Sequence, residues 1–133
     1  MWRGIAQIAA QAGSQVLLFD VQDDTAQAAQ AAVFAQWDRL CEKGRLEAGQ
    51  TAAYKSGLHC APTLASLAGC DLIVEAVLER LDVKATLFAE LEAMVGPSTV
   101  LVTNTSSLSV TTIAAQLKRP AQFAGFHFFN PVP

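Results

Sequence analysis

The stretch Gly69-Cys-Asp-Leu-Ile-Val-Glu75 is a turn followed by a short apolar run that closes on an acid. The run from Leu72 to Glu75 is too short for a helix and predicts a buried strand. A helical pattern follows over residues 82–95 and ends at Gly96-Pro97, and Val100 to Thr103 predicts a second strand. Because strand, helix and strand in succession are typical of parallel pairing, this stretch decides the fold class.

The same alternation extends in both directions along the chain. Further strands are predicted over residues 15–20, 58–61 and 123–128, and further helices over residues 3–12, 23–43, 51–55 and 109–117. Short apolar strands that alternate with helices predict an α/β fold, a parallel sheet with helices on both faces. No repeat or linker divides the 133 residues, so a single domain is expected.

Two of the helices have an apolar stripe at helical spacing, which predicts the face that packs against the sheet. In the first helix the stripe consists of Ile5, Ile8, Ala9 and Ala12. In the second helix it consists of Ala26, Ala29, Val33, Trp37 and Leu40.

The composition excludes several classes of function. The chain is 52% hydrophobic and 16% charged with a net charge of −3, which favours a globular protein and argues against nucleic acid or a membrane surface as partner. No apolar run is long enough to span a bilayer, and no signal peptide is recognisable. A cytoplasmic location is therefore expected.

The three cysteines give little support for a disulfide framework or a metal site. Cys41, Cys60 and Cys70 are odd in number and lack the C-x-x-C spacing of zinc sites. His59 beside Cys60 is the weak alternative for a metal ligand, and buried thiols are the favoured explanation.

His127 is the first candidate for catalysis. It lies near the end of the last predicted strand, ahead of the turn Asn130-Pro131, and the carboxyl ends of parallel strands are where α/β proteins bind ligands. Histidine also has a pKa suited to proton transfer near neutral pH. The alternative is a core histidine among aromatic neighbours.

Asp20 is the second candidate, because it closes the strand that follows the first helix. In a nucleotide-binding Rossmann unit an acid at this place accepts the two ribose hydroxyls of adenosine and favours NAD over NADP. An aspartate that caps the next turn is an equal alternative. The first strand and glycine-rich turn of such a unit are expected to be missing, because the chain begins at the first helix; two neighbouring strands then lose a partner.

Five motifs in order resemble the NAD-binding domain of L-3-hydroxyacyl-CoA dehydrogenases, particularly the bacterial 3-hydroxybutyryl-CoA and phenylacetate-pathway types. The resemblance covers essentially the whole chain. Its motifs are Arg3-Gly-Ile-Ala-Gln7, Gln15-Val-Leu-Leu-Phe-Asp20, Asp71-Leu-Ile-Val-Glu-Ala-Val-Leu-Glu79 with Lys84, Asn104-Thr-Ser-Ser-Leu108 and His127-Phe-Phe-Asn-Pro131.

This resemblance implies NAD as cofactor and an acyl-CoA as substrate, which is oxidised at its 3-hydroxyl group. His127 would be the general base and Ser106 would contact the substrate hydroxyl or the nicotinamide. The residues implied to contact the cofactor are Asp20, Val77, Leu78, Glu79, Lys84, Ser106 and Asn130. Lys43 falls where the family has a basic contact to the CoA phosphates.

The residues themselves leave alternatives open for three of these assignments. Lys84 could form a surface ion pair with Glu79 or Asp82, and Lys43 could be a solvated helix end. The stretch Asn104 to Ser107 could cap the following helix instead of offering donors to a reacting oxygen.

The family pattern also predicts parts that residues 1–133 do not contain. These are the first strand, its glycine-rich turn, an acid that orients the histidine, and a helical C-terminal domain with much of the substrate pocket and a homodimer interface. The chain is therefore expected to be a partial NAD-binding Rossmann domain. A non-catalytic fragment, or a piece of a multifunctional fatty-acid oxidation enzyme, is the alternative.

Overall fold

A computed structural model describes residues 2–22, 24–76, 80–104 and 107–126 of the chain. These residues form two compact units, which are described separately. The first unit contains residues 2–64 and the second begins at Ala65.

Helices and short strands alternate through both units. The first unit contains α1 (Trp2–Gln11), β1 (Val16–Leu18), α2 (Thr25–Glu42), α3 (Ala48–Ser56) and β2 (Leu58–Cys60). The second unit contains β3 (Leu72–Glu75), α4 (Leu81–Met94), β4 (Val100–Asn104), α5 (Ser107–Ala114) and β5 (Phe123–Phe126). Two single turns of 3₁₀ helix, Leu64–Leu67 and Pro120–Gln122, complete the elements.

All described strand pairs are parallel, and they form two separate sheets. In the first unit β1 pairs with β2. In the second unit β4 lies between β3 and β5, with Glu75 opposite Thr103 and Asn104 opposite Phe126. Parallel strands connected through helices confirm the predicted α/β, Rossmann-like class.

The first unit buries one face of each of its first two helices. In α2 the predicted inner face is confirmed at its four buried positions, Ala26, Ala29, Val33 and Trp37, and Leu40 is half-buried. In α1 the predicted stripe is wrong, because the buried residues are Ala6 and Ala10 while Ile8 is 38% exposed. Alanine side chains let α1 lie close to the core that also contains Leu18 of β1.

The core of the second unit forms between α4, α5 and the middle of the sheet. Phe88 of α4 and Phe123 of β5 meet edge to face, with ring centroids 4.8 Å apart. Leu101 in the central strand and Ile113 in α5 are fully buried. Each of these side chains contributes about 1.5–3 kcal/mol by leaving water, so this apolar layer fixes the strands whose ends carry the site.

A close approach of α5 to β5 requires a glycine at position 125. A Cβ atom built on Gly125 would lie 2.6 Å from Cγ2 of Val110 in α5. Valine is stiff at χ1 and cannot swing aside cheaply. The absence of a side chain at Gly125 therefore sets the distance between the last strand and α5.

Glu92, near the end of α4, anchors the segment that leads into the last strand. Its carboxylate oxygens accept the backbone N–H groups of Lys118 and Arg119 at 2.9 and 2.6 Å. The Arg119 guanidinium in turn donates to the carbonyl oxygens of Glu92 and Val95. Burial acts to raise the pKa of Glu92, but the two N–H donors and the nearby Arg119 and Lys118 charges hold it below its usual value.

Replacement of Glu92 by glutamine is expected to lower the free energy of unfolding by about 1–3 kcal/mol at neutral pH, because an amide cannot accept both N–H groups. A folded-state pKa below the unfolded value means that the charge stabilises fully above about pH 4.3 and stops doing so as the pH falls through the folded pKa. The difference between the two proteins in urea unfolding should therefore shrink in acid. Glu90→Gln, on the exposed side of α4, is the control, and an equal loss in both variants would contradict the anchor.

Within the part of the chain that the structure describes, no helix combines the length and apolar character needed to cross a membrane.

Candidate active site

Asp20 lies just after β1, at the carboxyl end of the first sheet. Its Oδ1 atom accepts the backbone N–H of Gln22 at 2.8 Å, so the aspartate does cap the following turn. A carboxylate offers about four acceptor positions on two oxygens, and the cap uses one. The hydrogen bond fixes the side chain and is compatible with the predicted role at the adenosine ribose.

Lys84 lies within the first turns of α4 and its side chain is fully buried. Its Nζ atom is 3.0 Å from Oε1 of Glu75, the last residue of β3, and each side chain is 1% exposed. The proposed surface ion pair with Asp82 is wrong, because Asp82 pairs with Arg80 at the exposed start of the helix. Glu79, the other partner considered, lies outside the described residues.

Thr103 of β4 completes a buried polar cluster with this ion pair. Its hydroxyl donates to Oε2 of Glu75 at 2.7 Å, so both carboxylate oxygens have a partner. Thr103 and Glu75 are register partners on neighbouring strands, one residue from the end of β4 and at the end of β3. The cluster of Glu75, Lys84 and Thr103 therefore lies at the carboxyl edge of the second sheet, where α/β proteins bind ligands.

Glu75 and Thr103 were not candidates from the sequence. The available signal was a polar residue at the end of each of two apolar strands, Leu72–Glu75 and Val100–Thr103. Buried polar side chains such as Glu75 and Thr103 need hydrogen-bonding or charged partners. Lys84, on the helix that connects their two strands, is such a partner.

Lys43 lies at the carboxyl end of α2 and is exposed. Its backbone N–H still makes a helical hydrogen bond to the carbonyl oxygen of Arg39, and Gly44, with a φ of 73°, follows the helix end. This geometry matches the solvated helix end that the sequence favours. A contact to CoA phosphates stays a prediction.

The remaining predicted site residues lie outside the described residues. They are Val77, Leu78, Glu79, Ser106, His127 and Asn130. Their positions in the sequence can still be related to the sheet: Ser106 follows β4 by two residues, and His127 directly follows β5. Asn104 and Phe126 are register partners, so β4 and β5 end next to each other at the carboxyl edge of the second sheet.

The sulfur and imidazole groups of the described residues do not form a metal site. No group of three or more His, Cys, Asp or Glu residues with suitable geometry occurs among them. Burial raises the pKa of the Cys60 thiol, and burial followed by the Asp71 charge raises that of Cys70. His59 is exposed, with Nε2 2.7 Å from the carbonyl oxygen of Ser56.

Comparison with known proteins shows a family match over the whole chain. The family described as "3-hydroxyacyl-CoA dehydrogenase, NAD binding domain" matches residues 1–133. The chain is 42% identical to 3-hydroxyadipyl-CoA dehydrogenase of Escherichia coli K12, over all of the chain and 28% of that protein. It is 40% identical to a probable 3-hydroxybutyryl-CoA dehydrogenase of Deinococcus radiodurans, over all of the chain and 48% of that protein.

A solved structure is also closely similar. That of 3-hydroxybutyryl-CoA dehydrogenase from Escherichia coli K12 superposes with a TM-score of 0.95 at 42% identity, over all of the chain and 28% of that protein. The chain thus spans between about a quarter and a half of the length of these relatives. Through the match to all of its residues, the chain belongs to the 3-hydroxyacyl-CoA dehydrogenase family and corresponds to that family's NAD-binding domain.

Proposed function

We propose that the chain is the NAD-binding part of an enzyme that oxidises an L-3-hydroxyacyl-CoA to the 3-oxoacyl-CoA. The observation that carries the proposal is the register of β4 and β5, in which Asn104 lies opposite Phe126. The segments that contain Ser106 and His127 begin at these neighbouring positions. A hydroxyl donor and a proton acceptor that follow these two strand ends in the sequence support the oxidation of an alcohol, which needs both groups.

In the first unit, Asp20 supports the binding of a dinucleotide. Asp20 presents a carboxylate, fixed by the Gln22 N–H, at the end of β1. An anionic acceptor there binds ribose hydroxyls and repels a 2′-phosphate, which favours NAD over NADP. Val77, Leu78, Glu79, Lys84, Ser106 and Asn130 are the further proposed contacts.

In the proposed reaction His127 accepts the proton of the substrate's 3-hydroxyl group. Ser106 orients that hydroxyl by a hydrogen bond, so that the C–O bond acquires carbonyl character as the proton leaves. NAD, when bound, would supply the acceptor for the hydride that leaves C3. The products are a 3-oxoacyl-CoA, NADH and one proton, which His127 passes to water.

The proposal extends to the whole protein and its surroundings. We infer that residues 1–133 act as a partial Rossmann domain together with a helical C-terminal domain that supplies much of the substrate pocket and a homodimer interface. Lys43 would contact the phosphates of the acyl-CoA partner, and the enzyme would work in the cytoplasm. The names of the relatives, which act on CoA thioesters, support the substrate class.

The protein is expected to form NADH from an L-3-hydroxyacyl-CoA, and Asp20→Asn should raise the KM for NAD by about 10- to 100-fold. Asparagine still accepts the Gln22 N–H, so the variant keeps the turn and removes the charge that binds the ribose hydroxyls. Initial rates of NADH formation with NAD, and of NADPH formation with NADP, measure the KM for NAD and the preference between the two cofactors.

Asp38→Asn is the matched control, because it removes an exposed aspartate of α2 that pairs with Lys55. Its KM should stay near that of the parent. The proposed function would be wrong if no acyl chain length supported NADH formation, and the role of Asp20 would be wrong if Asp20→Asn kept the parent's preference for NAD.

A further inference from the structure

The cluster of Glu75, Lys84 and Thr103 joins three elements at the carboxyl edge of the second sheet. Glu75 ends β3, Thr103 lies near the end of β4, and Lys84 lies at the start of α4. Oε1 of Glu75 is 3.0 Å from the Lys84 ammonium, and Oε2 accepts the Thr103 hydroxyl at 2.7 Å. The Glu75 carboxylate therefore accepts a hydrogen bond from β4 through Thr103 and forms an ion pair with Lys84 of α4.

Stability alone does not account for a charged pair in this place. Glu75 and Lys84 are each 1% exposed, so both charges have given up water. Apolar residues of similar volume often stabilise a protein core as well as or better than such a pair. A long lysine stem also has many rotamers, and a fixed carboxylate selects one position for its ammonium group.

We propose that Glu75 and Thr103 are positioning residues, which hold the Lys84 ammonium at the edge where the dinucleotide binds. Thr103 acts through Glu75, and Glu75 acts through Lys84. The inference rests on the proposed function, in which Lys84 contacts NAD. It adds two residues to that function: Thr103 on the central strand and Glu75, which link that strand to Lys84, the proposed contact to the cofactor.

The test compares two buried threonines: Thr103 lies near the carboxyl end of β4, and Thr99 directly precedes its amino end. Thr103→Val removes the hydroxyl that orients Glu75 and preserves the side-chain shape. Thr99→Val removes an equivalent hydroxyl, which donates to the carbonyl oxygen of Cys70 at 2.8 Å, at the amino end of the strand. Each variant loses one hydrogen bond of a buried threonine, and of these two residues only Thr103 is linked to Lys84 through Glu75.

The dissociation constant for NAD, measured by titration calorimetry on the full chain, is expected to rise about tenfold in Thr103→Val, the effect of weakening one hydrogen bond to a charged group. It should stay within about twofold in Thr99→Val, whose site is distant from the cluster. Thr103→Ser, which restores the hydroxyl, should restore the affinity. Glu75→Gln, measured under conditions in which circular dichroism shows it to be folded, should weaken NAD binding at least as much as Thr103→Val.

The outcomes separate this inference from the function on which it rests. A parent chain that does not bind NAD would overturn the proposed function. A parent that binds NAD while Thr103→Val and Thr99→Val bind equally well would overturn only the positioning role. The same conclusion would follow if Thr103→Ser were as weak as Thr103→Val, since the hydroxyl would then be irrelevant.

Discussion

Replacement of Lys84 by methionine is expected to lower the free energy of unfolding by about 3–5 kcal/mol, because it leaves the Glu75 carboxylate buried without its cation. The two groups are 3.0 Å apart and 1% exposed, so neither water nor salt can replace the lost partner. Native domains are stable by about 5–15 kcal/mol, and this change removes a large part of that. Urea unfolding followed by circular dichroism measures the loss.

The double variant Glu75→Leu/Lys84→Met distinguishes the buried charge from packing. It removes both charges and fills the same space, so it should recover much of the stability that the single variant loses. Lys118→Met, which changes an exposed lysine of the same unit, should lie within about 0.5 kcal/mol of the parent. A double variant as unstable as Lys84→Met would show that shape, and not the unpaired carboxylate, causes the loss.

Replacement of His127 by alanine is expected to lower kcat for L-3-hydroxyacyl-CoA oxidation by about 10²- to 10⁴-fold, the usual contribution of a positioned general base. Loss of the base should act on the chemical step, because the substrate hydroxyl would have to release its proton to water. The KM for NAD should change little. Initial rates of NADH formation, with both substrates varied, separate these two quantities.

The chain provides a matched control in its other histidine. His59 lies on β2, is exposed, and has its ring beside the carbonyl oxygen of Ser56. His59→Ala should keep the parent's kcat, since this ring lies on β2 and has no proposed contact with the substrate. A His127→Ala enzyme that turned over at the parent's rate would exclude His127 as the base.

Two elements of the second unit, β3 and α4, could be predicted closely because their bounds are marked by turns and by Gly96-Pro97. The strand Leu72–Glu75 has the predicted bounds, and α4 begins one residue before and ends one residue before the expected positions. The buried face of α1 could not be predicted in this way. Hydrophobicity favoured Ile8 over Ala6, whereas the close packing of that helix selects the smaller side chain.

The site could be predicted as an edge of the sheet but not as a network of contacts. Asp20 was found from its place at a strand end, yet whether it caps a turn depends on the local backbone path. For Lys84 the sequence favours Glu79 or Asp82 as partner, because both are near it in the chain. Its actual partner, Glu75, becomes a neighbour only when β3 and α4 fold back on each other, a contact that spacing along one helix does not contain.

The hydrogen bond from Thr103 to Glu75 joins residues 28 positions apart in the sequence, with the whole of α4 between them. A parallel pair of this kind forms only after the intervening crossover has closed, so its contacts follow an unfavourable loss of chain entropy. Interactions that form late in folding mainly slow the reverse step. We therefore expect the polar cluster at the sheet edge to act on the lifetime of the folded state, which governs resistance to irreversible inactivation, more than on the speed with which that state is reached.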